Sequence, residues 1–180
     1  SAPTTPASCA PGGEAANGYQ TVDQIVAPIF ERDPTLGAIT AWDLGRASFE
    51  APSEHTLDAL RVASDLGNVD AAARYGDWLV FGEVAVDHEL GLAYLTDAAQ
   101  RGQSTAFTSI GNFYLGQPEN TALAYENLIA GLRLGDTDAG VWLADYSLLA
   151  ATSGTARGSR EAEMRVLDIC HQDAAKCTEV

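Results

Sequence analysis

From about residue 20 onward, apolar and polar positions follow a helical rhythm, without two-residue alternation and with few Asn-Gly or Pro-containing breaks. The rhythm repeats on a longer scale. Gly67, Gly102 and Gly135 are each followed four residues later by an alanine, Ala71, Ala106 and Ala139. A small residue stands nine positions on (Gly76, Gly111, Ala144), then Asp or Asn (Asp77, Asn112, Asp145), then an aromatic (Trp78, Phe113, Tyr146). The steps between blocks are 35 and 33 residues. The segments Ser53–Gly67, Asp87–Gly102 and Glu119–Gly135 occupy equivalent places and read as helices running into the glycines. Ser53 with Glu54, and Asp87 with Glu89, have the form of helix starts, a short polar cap with an acid near the positive end. The glycines close the helices where a left-handed backbone is needed. The unit is therefore helix, short loop, helix, tight glycine turn.

Small residues at fixed positions let two helix backbones approach, and the aromatic fills the space beside them. One such hairpin cannot bury its apolar face, whereas a stack of them can, which predicts an all-α solenoid. Residues 1–20 are rich in Pro, Gly, Ser and Ala without periodicity and read as a flexible leader. Residues 21–180 read as a single domain, an N-terminal helix followed by about four helix pairs with degenerate first and last units.

These blocks resemble Sel-one-like repeats, relatives of the tetratricopeptide repeat. Residues 68–102 carry the likeness best, through Ala72, Tyr75-Gly76, Leu79, Gly82, Asp87, Tyr94, Ala98-Ala99 and Gly102. Residues 103–135 keep Ala106, Ile110-Gly111, Tyr114, Gly116 and Ala124, with Gly131-Leu132 in place of the alanine pair. Residues 136–149 keep Ala139 and Leu143-Ala144; Ala41 and Leu44-Gly45 mark a degenerate unit upstream, and Ala162 and Ile169-Cys170 one downstream. The resemblance implies a right-handed α/α solenoid of helix-turn-helix repeats. It speaks for fold more than for function, because the family is defined by packing residues.

Composition narrows the partners. Asp plus Glu number 25 against 10 Lys plus Arg, a formal charge of −15. Such a field repels phosphate backbones and anionic lipid surfaces, so nucleic acid is not expected; it leaves room for a basic protein partner, with simple solubility as the alternative reading of the charge. No apolar run has the length to span a bilayer. Lys176 is the single lysine, which removes the phosphate-binding loop and the Ser-x-x-Lys acyl-enzyme motif. The small-residue start suggests an exported protein, periplasmic in a Gram-negative bacterium, although a trimmed chain would look the same. In that compartment a Cys170–Cys177 disulfide is the leading reading, with two reduced thiols as its alternative. Cys9 is then the odd thiol. The resemblance to cysteine-rich members of the family, which bridge the same two places in each repeat, implies that this bridge pins an incomplete last helix.

No nucleophile elbow, metalloprotease helix or dinucleotide loop occurs, so no catalytic residue is assigned and neither cofactor nor metal is expected. His55, His88 and His171 lie far apart in sequence, and Asp87-His88-Glu89 reads as a solvated helix start. What remains is a groove. In a helix-pair solenoid the first helices line the concave face, which offers Asp43, Arg46, Arg74, Asp77, Ser109, Asn112, Trp142 and Asp145 as partner-binding residues. Val80, Phe81 and Leu115 are apolar additions. Trp42, Trp78 and Trp142 fall near one position in successive first helices and suit core or groove. The expectation is a non-catalytic protein-binding module of the bacterial envelope, in the manner of immunity proteins that neutralise secreted toxins. Alternatives are a scaffold or regulator of a sensor or cell-wall machine, and a cell-wall or β-lactam-binding, hydrolase-like protein. The last would follow from the cysteine-rich relatives, whose multiple cysteine pairs this chain lacks.

Overall fold

The computed structural model describes residues 21–47, 53–82, 84–115 and 117–153, together with positions 164 and 171. Among them all regular structure is helical: α1 (Val22–Arg32), α2 (Pro34–Arg46), α3 (Glu54–Asp65), α4 (Val69–Phe81), α5 (His88–Gln100), α6 (Ser104–Leu115), α7 (Thr121–Arg133) and α8 (Thr137–Ser153). The chain divides into two compact units, the first ending at Tyr94 and the second beginning at Leu95, so the boundary falls inside α5.

In the first unit, short polar residues start every helix with a described cap. Thr21 and Gln24 exchange side chain-to-backbone hydrogen bonds at the head of α1. Asp33 ends α1 and opens α2, its Oδ1 accepting from the Thr35 and Leu36 amides, with Pro34 in the first helical position where its missing N–H costs nothing. Ser53 caps α3 in reciprocal bonds with Thr56, and Asn68 caps α4 by accepting from the Ala71 amide.

The helices then pack through small residues. On α2 the buried seam is Gly37, Ala41 and Gly45, four residues apart. A Cβ at Gly37 would lie 2.8 Å from the Phe30 Cα of α1, and one at Gly45 would lie 2.9 Å from a methyl of Leu60 on α3. Around that seam Val22, Val26, Ala41, Ala59, Leu60, Val62, Ala63 and Ala71 are fully removed from solvent. Burying a side chain such as Leu60 is worth about 1.5–3 kcal/mol. The Asp87 amide donates to the Leu79 carbonyl at 2.9 Å, which turns the chain back along α4, and Gly91 lies against Val80 and the Gly76 carbonyl.

The second unit is built on the same device. Gly111 of α6 lies against Leu128 of α7, and Gly131 of α7 against Thr108 of α6. The core beyond this seam is Leu128, Leu132, Ala139 and Leu143, with Leu115 packed on it. The Thr108 hydroxyl also donates to Asp136, which ties α6 to the turn between α7 and α8.

Three turns repeat one geometry. Gly67, Gly102 and Gly135 have φ of 94°, 89° and 96°, the left-handed region predicted for them. In each, the residue after the glycine donates back five positions: Asn68 to Ala63, Gln103 to Ala98 and Asp136 to Gly131, all at 3.0 Å. Each glycine amide also donates three positions back, to Ser64, Ala99 and Leu132. This is the Schellman closure of a helix, and it recurs at the 35- and 33-residue steps of the sequence.

One boundary differs from the sequence expectation. The helix placed from Glu119 starts at Thr121, because Pro118–Asn120 forms a separate 3-10 turn. The predicted leader 1–20, Cys9, Cys170 and Cys177 lie outside the described residues.

Candidate functional site

The eight predicted contact residues lie on four first helices, α2, α4, α6 and α8. In the first unit, Asp43 and Arg46 of α2 are exposed and form an ion pair at 3.3 Å. Arg74 and Asp77 of α4 approach to 4.0 Å. Both are i,i+3 pairs on one helix face, so each sets the orientation of its own partner. Beside them are exposed apolar side chains, Leu36 and Ile39 on α2 and Phe81 on α4, at 50%, 48% and 45% exposure. In the second unit, Trp142 and Asp145 of α8 are exposed next to Val141, while Ser109 and Asn112 of α6 are half-buried.

Three expectations are corrected or refined by burial. Val80 is buried against Gly91 of α5 and does not add to an open face. Trp42 and Trp78 are partly buried against the first unit's core, unlike the exposed Trp142. Leu115 is packed on the second unit's core.

The most concentrated polar cluster was legible in the sequence only in its α3 part. In the first unit, Arg61 of α3 faces three carboxylates: Asp58 at 2.6 Å, Asp65 at 3.1 Å and Asp23 of α1 at 3.6 Å. Tyr94 of α5 donates its hydroxyl to Asp65 at 3.4 Å and meets the Tyr75 ring of α4 edge-on, with centroids 4.8 Å apart. Side chains of four helices therefore form one cluster, in which those of α1 and α3 reach the guanidinium. Burial pushes the Asp23 carboxyl above its usual range, with Asp58 adding to it and Arg61 opposing. For Arg61, burial alone would favour the neutral form, but the Asp58 hydrogen bond and the three negative charges outweigh it and raise it further. The Tyr94 phenol is pushed up to about 12, by burial first and by Asp65 next. The Tyr75 phenol is raised by burial as well. Arg61 is thus held closely by the two acids of its own helix, with Asp23 of α1 a longer third contact and both phenols protonated at neutral pH.

His55, His88 and His171 are exposed, and among the described residues no three His, Cys, Asp or Glu side chains converge in a way that could hold a metal. Among the described residues no helix is long and apolar enough to cross a membrane. No family model, curated protein or solved structure matches the chain.

Proposed function

We propose that the protein is a non-catalytic binding module, a right-handed α/α solenoid of Sel-one-like repeats whose first helices hold another protein. The observation that carries this reading is what those helices expose within each unit. On α2, α4 and α8, large apolar side chains stand exposed beside oriented charges: Leu36 and Ile39 with Asp43 and Arg46, Phe81 with Arg74 and Asp77, Val141 and Trp142 with Asp145. Exposed apolar groups bordered by charge are the composition of interaction surfaces, and Trp and Arg are frequent anchors in them.

The partner suited to this chain is basic. Arg46, Arg61, Arg74 and Arg101 are all within 4.0 Å of carboxylates, and the formal charge is −15. A chain with this excess of acids attracts positive charge and speeds the encounter with it. The reading extends to a periplasmic inhibitor that neutralises a basic secreted protein, such as a toxin delivered between bacteria.

The test is co-purification from source-cell extract with the wild type, Trp142→Ala and Asp77→Arg as baits, at low and high salt. Stoichiometric recovery of one basic protein, weakened by both substitutions and by salt, is the expected result. Equal capture by all three baits would remove the first-helix faces from the account.

A further inference from the structure

Helix α1 precedes the repeating pairs, and its contact with α3 is electrostatically mismatched. Its apolar face is well seated: Val22 and Val26 are fully buried, and Phe30 closes on Gly37 of α2. Asp23, in the first turn, is the exception. Its side chain is only 24% exposed, and Oδ1 is buried with no hydrogen-bond donor among the described residues. Oδ2 reaches Arg61 at 3.6 Å, whereas Asp58 and Asp65 hold the same guanidinium at 2.6 and 3.1 Å.

Three negative charges thus share one positive charge, and the two with the shorter contacts belong to the helix that carries the arginine. The charged side chains named on α2, Asp43 and Arg46, pair with each other. Tyr75 of α4 and Tyr94 of α5 border the cluster, and Tyr94 is engaged with Asp65. The positive end of α1 favours a charged Asp23, but an exposed helix terminus contributes only fractions of a kcal/mol to about 1 kcal/mol. Against that stand the lost hydration of a buried oxygen and two like charges on α3.

We infer that Asp23 is a pH-sensitive clasp, seating α1 on α3 more firmly when it carries a proton and loosening that seat when it is charged. The proton removes the repulsion from Asp58 and Asp65 and leaves Arg61 to them. The direction follows from proton linkage. The docked state binds this proton more tightly than the free helix does, so docking strengthens as pH falls toward the carboxylate range. It weakens as pH rises through the elevated value of the docked carboxyl. The device concerns the seating of α1 and is independent of what the protein binds.

Hydrogen exchange of the full chain tests it, read on the peptide covering residues 22–32 and normalised to one covering α7. In the wild type, protection of α1 relative to α7 should rise as pH falls from 7 toward the carboxylate range, by no more than about tenfold per pH unit because a single proton is taken up by the docked state. Asp23→Asn should show the higher protection already at pH 7 and little change with pH. A carboxyl-carbon NMR titration of wild-type Asp23 should place its midpoint above the ordinary aspartate range. Relative protection that is flat or falls on acidification, a variant less protected than wild type at pH 7, or an ordinary Asp23 midpoint would each overturn the clasp.

Discussion

Two glycines of similar appearance in the sequence act in different ways. Gly102 has φ of 89° and open space where a Cβ would stand, so its role is conformational alone. Gly102→Ala should cost about 1–2 kcal/mol in chemical denaturation, the penalty of a left-handed backbone for an L residue. Gly111 lies inside α6, where a Cβ would meet Leu128 at 2.6 Å and the Ala124 carbonyl at 3.0 Å. Gly111→Val should cost about 2–3 kcal/mol by forcing α6 from α7, and a near-neutral value would mean the seam is not tight. The sequence distinguished these roles, because one glycine ends each repeat and the other stands at the small-residue position nine later. It did not distinguish Val80 from Phe81. Adjacent apolar residues at a helix end differ by about 100° in direction, and only the return of α5 decides which is covered. Arg61 was hidden in part. Asp58 and Asp65 stand at helical spacing from it, but Asp23 is 38 positions away and the Tyr94 bound to Asp65 is 29 away, so local spacing gives only the part of the cluster on α3.

Helix ends were the most legible elements, because capping needs a particular side chain within three residues of where it acts. Ser53 shows this. It accepts from the Thr56 amide while its own amide donates to the fully buried Thr56 hydroxyl. Ser53→Ala should lower stability by about 1 kcal/mol, measured by thermal or denaturant unfolding. Helix-to-turn ties were less legible. The Thr108–Asp136 bond joins residues 28 apart, and Thr108 also contacts the Ser104 carbonyl, so nothing in α6 alone marks it as a tie. Thr108 is 7% exposed, and Thr108→Val keeps its shape while removing the donor. A cost of about 1–2 kcal/mol is expected from the lost bond to a charged acceptor, with Thr108→Ser recovering most of it. If Thr108→Val unfolds like the wild type, that bond is not a structural tie.

At the scale of the whole molecule, pattern and charge carry different information. The repeat of glycine turns and small-residue seams accounts for the helix hairpins. It accounts for nothing that the hairpins bind, since packing residues face inward. The charge of −15 and the exposed apolar groups on first helices face outward and bear on recognition. On the proposed function, the partner is held by apolar groups and attracted by acidic surroundings, and its association should slow with salt more than its dissociation quickens. The most direct measurement is a binding isotherm of the co-purified basic protein against wild type, Asp77→Arg and a control, Glu126→Arg, on the exposed surface of second helix α7. Both substitutions change the charge equally, so a purely diffuse field would weaken binding alike in each. The account predicts a loss of about tenfold or more for Asp77→Arg, the size expected of a central interface contact, and a change within about twofold for Glu126→Arg. Equal losses, or a larger loss for Glu126→Arg, would contradict binding through the first-helix face.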